Sequence, residues 1–301
     1  MGEIRVLKEL IVNFTPTGMV PTKAMTPHVP ITPSEIIEEV HQAYEFGITI
    51  AHLHARDENG APTSDKAVYA KIFEGVRKHC PNLIVCLSLS GRRSPEFEKR
   101  SEPLELNPDM ASLTLSSLNF AREASMNSPE MIMKLAAKMQ ECKVMPELEV
   151  FDLGMINGAK YLINKYLVKP PYYFNIIFGN VFGMQADLAE MGVAIKQLPD
   201  HSTWAFGGIG DAQLPATTAA IAMGGGVRIG LEDNIYFDLN RKELATNMNL
   251  LKRVHDLASM FYRPIMTGLE FRQEYLGWHK PIFFSGVIQE GGSNDPSRAS
   301  R

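Results

Sequence analysis

The stretch TPSEIIEEVHQAYEFGITIAHLHARD, residues 32–57, holds a helix and a strand in tandem, and its reading sets the fold. Thr32 stands where a helix is capped, Pro33 falls at the first helical position, Glu35 completes the first turn and Gly47 stops it. Between those ends Ile36, Ile37, Val40, Ala43 and Tyr44 recur at helical spacing. The run that follows, ITIAHLHA (48–55), is β-branched and apolar except for two histidines one residue apart. Residues i and i+2 of a strand face the same side, so His52 and His54 present two imidazoles to one small volume.

The same unit recurs outward in both directions. Strand-like runs stand at LIVNF (10–14), LIVCLSL (83–89), MASLTL (110–115), MPELEVF (145–151), YFNIIF (173–178), TWAFGG (203–208) and GGVRIG (225–230). Amphipathic stretches lie between them, and NSPEMIMKLAAKMQEC (127–142) opens as the first helix does, with Ser128 before Pro129 and Glu130. Strands alternating with helices at roughly 30-residue spacing predict an α/β chain folded as a single-domain (β/α)8 TIM barrel. An open doubly wound sheet shares that periodicity, but no G-x-G-x-x-G follows the first strand. The barrel is expected over residues 1–276. Residues 277–301 form a C-terminal arm and tail, whose WHKPIFFSGVI segment (278–288) is apolar enough to cover a neighbouring subunit.

Of the 301 residues, 45% are hydrophobic and 21% charged, with a net charge of −4. That balance supplies no large basic surface and excludes a nucleic-acid partner. Cys80, Cys86 and Cys142 are scattered and form no C-x-x-C pair, which fits free thiols in a reducing compartment, the cytoplasm. LIVNF is too short for a signal core or a membrane span, and Val6 breaks a myristoylation signal after Met1-Gly2. No membrane association is expected.

Active sites of barrels are assembled where strands end, which selects the polar residues to consider. His52 and His54 end the second strand, either as metal ligands or as a buried pair held by backbone groups. Glu232, in GGGVRIGLEDN (224–234), lies just past the eighth strand, which in a closed barrel is two steps from the second. His, His and Glu with open positions make a catalytic zinc set. Arg228 and Asp233 flank it, as part of the site or as a surface ion pair. Ser88, Ser90 and Thr114 end the third and fourth strands, where hydroxyls position a carboxylate or ketone oxygen or satisfy local backbone groups. Glu147 and Glu149 alternate on the fifth strand, inside the barrel or within a salt-bridge network. Gly207 and Gly208 offer backbone N–H groups to a phosphate of a cofactor, or serve a tight turn.

In order along the chain, TPTG, PITPSEI, HLHARD, SLTLSS, ELEVFDLG, FGG and RIGLEDN make the sequence resemble the β-keto acid cleavage enzyme family, including its 3-keto-5-aminohexanoate-cleaving type. The resemblance implies a homotetrameric barrel that binds Zn2+ and converts a β-keto acid plus acetyl-CoA into acetoacetate plus a new acyl-CoA. It makes His52, His54 and Glu232 the zinc ligands and Asp233 the base, with Arg228 beside it and Thr114 plus Ser88 or Ser90 as polar partners. Two departures bear on substrate. Family members commonly read Ser-Thr-Gly-Gly where this chain has Ser88-Leu89-Ser90-Gly91-Arg92-Arg93, and Val20 stands where the aminohexanoate type carries a glutamate for the substrate ammonium. The expectation is a neutral or anionic acyl chain, with Arg92 and Arg93 either gripping a distal carboxylate or lying solvated. A zinc-dependent hydrolase or retro-aldol lyase without CoA uses the same ligands, and a ligand-binding sensor uses the same barrel.

Overall fold

Eight parallel strands pair in one continuous ring in the computed structural model, which describes residues 9–92 and 95–276. They are β1 Val12–Phe14, β2 Ile50–Leu53, β3 Ile84–Leu87, β4 Met110–Thr114, β5 Met145–Val150, β6 Tyr172–Phe178, β7 Ser202–Gly208 and β8 Gly226–Ile229. β8 closes on β1 through Val12↔Val227, Asn13↔Arg228 and Phe14↔Ile229, and β1 pairs with β2 through Asn13↔Ile50. The chain is a closed (β/α)8 barrel, not an open sheet.

The helices are α1 Pro33–Phe46, α2 Lys66–His79, α3 Phe97–Ser101, α4 Pro129–Glu141, α5 Leu153–Asn164, α6 Leu188–Gln197, α7 Gln213–Met223, α8 Asn247–Met260 and the single-turn α9 Gly268–Phe271. α1 begins at the Thr32 capping box and ends at Gly47, as its sequence dictates, and buries Ile36, Val40 and Ala43. α4 is likewise capped by Ser128. After β3 the chain forms only the short α3 and a 3-10 turn, Glu102–Leu106, because Pro103 and the left-handed Asn107 interrupt regular helix. Two small hairpins, Ala55–Arg56 with Pro62–Thr63 and Leu118–Asn119 with Ala124–Ser125, rise after β2 and β4.

The two-residue pleat sorts the barrel interior into layers. The lower layer is apolar, with Ile11, Ile50, Ile84, Met110, Met145, Tyr173 and Ala205 packed on Phe271, Tyr275 and Leu276, which plug that end. One pleat further along the same strands stand Asn13, His52, Cys86, Ser112, Glu147, Asn175 and Arg228, all buried. Polarity therefore rises along the axis toward the strand C-termini, opposite the plug. Among the described residues no helix is long and apolar enough to cross a membrane. The expected arm at 277–301 lies outside the described residues.

Candidate metal centre and active site

Glu147 organises the polar layer. It is fully buried, and its carboxylate accepts hydrogen bonds from Asn13 on β1, Asn175 on β6 at 3.2 Å, and the Cys86 thiol on β3 at 3.5 Å. Its other contact is with His52 Nδ1, at 2.6 Å. A carboxylate accepts only, so the His52 proton sits on Nδ1 in the neutral ring and Nε2 carries the lone pair. That nitrogen lies 3.3 Å from His54 Nε2, which in turn lies 3.1 Å from Glu232 Oε1. The imidazoles thus have side-chain partners, and the backbone-held histidine pair is not what forms.

His52, His54 and Glu232 offer ligand atoms within 4.8 Å of one another. Two further observations fit this trio to a divalent cation. Glu232 Oε2 is buried with no hydrogen-bond partner among the described residues. The histidine oriented through its far nitrogen by a buried carboxylate is the arrangement that supports metal-binding imidazoles. His52, Cys86 and Glu147 also lie close together, but Glu147 is already saturated by donors and acts there as the support of His52.

Charge balance explains the protonation states. Burial pushes His52 down, but the facing carboxylates of Glu147 and Glu232 outweigh it and hold the ring up at about 9. Burial lowers His54. Glu232 is raised by burial yet pulled well below the usual carboxylate range by His54 and Arg228. Asp233 moves up, because burial and the nearby Glu232 outweigh the pull of Arg228. Glu149 also moves up, through burial and the charge of Glu147. The surplus of negative charge that retains a proton on His52 is equally suited to a dication.

Arg228 ties the second half of the site together. Its side chain is 2% exposed, with Nη2 at 2.7 Å from Glu232, Nε at 2.7 Å from Asp233 and Nη1 at 3.7 Å from Glu149. The pair with Asp233 is therefore buried, not a surface bridge. Gly207 on the neighbouring β7 leaves room for this arginine, since a Cβ there would lie 3.0 Å from Arg228 Cδ; one on Gly208 would lie 2.4 Å from the backbone of Ala212. Close packing calls for glycine at both positions. Gly18, at φ +63°, lies against Glu232, where a Cβ would come 2.4 Å from Cγ. Arg56 fixes this loop by donating to the carbonyls of Gly18 at 2.9 Å and Pro21 at 3.1 Å, with a third bond to Gly60 at 3.0 Å.

The remaining expected residues divide. Thr114 donates to Glu149 Oε2 at 2.7 Å. Ser88 and Ser90 line a cleft with His54, Met19, Tyr69 and Arg100. Val20 is 54% exposed and outside that lining, where its neighbour Met19 stands instead. Arg92 stacks over the Phe120 ring at 3.6 Å and reaches Glu123 at 3.7 Å. Arg93 lies outside the described residues. Sequence reasoning missed Asn13, Asn175, Arg56 and Arg100. A lone asparagine inside LIVNF or YFNIIF was the available signal for the first two, because an amide in a strand buried on both faces needs partners.

A family model described as beta-keto acid cleavage enzyme matches residues 9–276. The chain belongs to that family. Within it, the 3-keto-5-aminohexanoate cleavage enzyme of Fusobacterium nucleatum is 36% identical over 269 residues, 89% of this chain and 97% of the relative. The 3-oxoadipate:acetyl-CoA acetyltransferase of Cupriavidus necator is 35% identical over 266 residues, 87% and 93% of the two chains. Among solved structures, a ternary complex of ObcA with a C4-CoA adduct and oxalate superposes with a TM-score of 0.70 at 20% identity, covering 84% of this chain and 68% of that one. Apo ObcA superposes at 0.69, with 66% of its longer chain covered. These likenesses establish the shared barrel, while family membership rests on the sequence matches.

Proposed function

We propose that this enzyme transfers acyl groups with carbon–carbon cleavage, converting a β-keto acid and acetyl-CoA into acetoacetate and a new acyl-CoA. The single observation that carries the reading is the convergence of His52 Nε2, His54 Nε2 and Glu232 Oε1 beside the buried Arg228–Asp233 pair. The names of relatives at 34–36% identity support the reaction class. His52, His54 and Glu232 would hold Zn2+, which supplies Lewis acidity that acidifies the C2 protons of a β-keto acid.

The chain's own residues account for the rest. Asp233 is the base: burial lifts its affinity for a proton, while Arg228 at 2.7 Å holds the carboxylate in place to accept one from C2. The C2 carbanion adds to the acetyl thioester carbon and expels CoA thiolate. The thiolate then attacks the original ketone carbon, and the bond from that carbon to C2 breaks. The acyl group leaves as its CoA thioester, and Asp233 returns the proton to acetoacetate. Arg228 balances the charge passing through Asp233, and Ser88 or Ser90 together with Thr114 are the hydroxyls available to substrate oxygens. Glu149 keeps Thr114 and Arg228 in place.

Further features bear on the finer assignments. Cys80, Cys86 and Cys142 form no disulfide among the described residues, in keeping with a cytoplasmic enzyme. The family resemblance supports a homotetramer. Met19, which lines the cleft, and its neighbour Val20 bring no counter-charge for an ammonium, which favours a neutral or anionic acyl chain, with Arg92 and Arg93 the candidate partners of a distal carboxylate. Gly207 and Gly208 remain the candidates for backbone contacts to CoA. Incubation of β-keto acids with acetyl-CoA tests the reading: acetoacetate and a new acyl-CoA should form in equal amounts and stop when metal is chelated. Hydrolysis to free acids without CoA dependence would refute it.

A further inference from the structure

Asn247 stands at the first position of α8 and is fully buried. The helix does not need it as a cap, because Thr246 already accepts from the Asn249 backbone and the Asn249 side chain answers to the Thr246 N–H. A buried amide costs stability unless its groups are paired. Its two hydrogen bonds to the main chain both leave the helix. Oδ1 accepts from the Leu231 N–H at 2.9 Å, and Nδ2 donates to the Pro16 carbonyl at 3.2 Å. A donor on one side and an acceptor on the other fix which way the amide is turned. Glu39 on α1 takes a further hydrogen bond from the same group.

The two loops that Asn247 joins meet at Glu232. The Glu232 N–H donates to the Thr15 carbonyl at 3.2 Å, and a Cβ on Gly230 would collide with that same carbonyl. Gly18, two residues past Pro16, lies against the Glu232 side chain. From α7, the buried Gln213 donates to the Gly230 carbonyl at 3.0 Å, and the Gly210 N–H donates to the Asp233 carbonyl at 2.8 Å. The main chain from Gly230 to Asp233 is thus held from the helical layer and from the loop after β1. The Glu232 carboxylate is left to meet His54 at 3.1 Å and Arg228 at 2.7 Å.

We infer that Asn247 is a positioning residue: by tying the loop after β1 to the loop after β8, it sets the place of Glu232 relative to His52 and His54. This rests on the proposed metal centre and adds to it a residue that touches neither metal nor substrate. Without the amide, the Leu231 N–H loses its acceptor, and Glu232 keeps only its bond to a β1 loop that is itself released at Pro16. The ligand then samples more positions, and a cation gains less from it.

The test measures zinc affinity by chelator competition and backbone hydrogen exchange in the metal-free protein, for the wild type, Asn247→Ala and a control, Thr49→Val. Thr49 makes two buried hydrogen bonds at the plugged end, from the Val12 N–H at 3.0 Å and to the Met266 carbonyl at 2.6 Å. Both variants should lower the melting temperature. Only Asn247→Ala should weaken zinc, by about tenfold, and speed exchange at Leu231 and Glu232 together, also by about tenfold, the equivalent of one buried hydrogen bond. Wild-type zinc affinity in Asn247→Ala, or equal losses in the two variants, would overturn the assignment, as would a Glu232 amide that keeps its protection. The wild type alone supplies a check that needs no folded variant: zinc should slow exchange at residues 17–19 along with 231–233, and protection confined to 231–233 would show that the loops are not tied. A wild type that binds no zinc, beside faster exchange at Leu231 and Glu232 in Asn247→Ala, would fault the proposed centre and leave the tie standing.

Discussion

Replacing Glu147 by glutamine probes the centre without touching a proposed ligand. The carboxylate is fully buried and faces only donors: Asn13, Asn175 at 3.2 Å, Cys86 at 3.5 Å and His52 Nδ1 at 2.6 Å. Glutamine keeps the volume and one acceptor, which can stay on His52. Its new NH2 group then points toward the two asparagines, whose Oδ1 atoms are both buried without partners among the described residues. Rotation of either amide presents that oxygen, so the packing cost is small. What disappears is the negative charge that orients His52 and raises its basicity. Loss of such an outer partner costs about 10- to 100-fold in metal affinity, or about 1.4–2.7 kcal/mol. Competition with a chromophoric chelator measures it, and NMR titration of the imidazoles in metal-free protein should show His52 moving from about 9 toward the ordinary 6.5. Zinc affinity unchanged within twofold, in a variant that retains its fold, would refute the supporting role of Glu147.

Four other outcomes follow from the same geometry. His54→Ala should strip the metal, and full zinc occupancy by elemental analysis would show that the ligand set is wrong. Asp233→Asn should lower kcat by at least about a hundredfold, as loss of a general base does, while zinc content stays near that of the wild type; an equal loss of both would make Asp233 structural. Gly18→Ala should cost about 1–2 kcal/mol for the left-handed backbone and also displace Glu232, so zinc affinity should fall with the melting temperature; a shift in melting temperature alone contradicts this. Metal-free protein should lose stability with rising pH. His52 is raised to about 9 from 6.5, so its pairing with Glu147 and Glu232 contributes fully below pH 6.5 and is lost as pH passes through 9. Thermal melts across that window should show the decline, and a flat profile would contradict the charge assignment.

The barrel was legible because local and global signals agree. The Thr32 cap, Pro33 and Gly47 delimit α1 whatever lies around them, and short apolar runs buried on both faces mark a parallel sheet. His52 and His54 were legible as a pair from the pleat, and Glu232 from the adjacency of the first and last strands. The division of labour between Glu147 and Glu149 was not, since alternation puts both inside and only the depth of each layer decides that Glu147 meets His52 while Glu149 meets Thr114. Arg100 reads in EFEKRSE as a solvated helix charge. Its burial depends on the loop after β3 folding over it, a tertiary event with no local signature. The short hairpins escape for the same reason, since strands of two residues carry no period.

The central claim is acyl exchange between a β-keto acid and acetyl-CoA at the His52, His54 and Glu232 centre. Its most direct test is the fate of isotope from acetyl-CoA labelled in both acetyl carbons, followed by 13C NMR with the zinc-loaded enzyme. The account predicts label in C3 and C4 of acetoacetate, none in C1 or C2, and an unlabelled new acyl-CoA. Label recovered as free acetate without labelled acetoacetate, or carried into the new acyl-CoA, would contradict it.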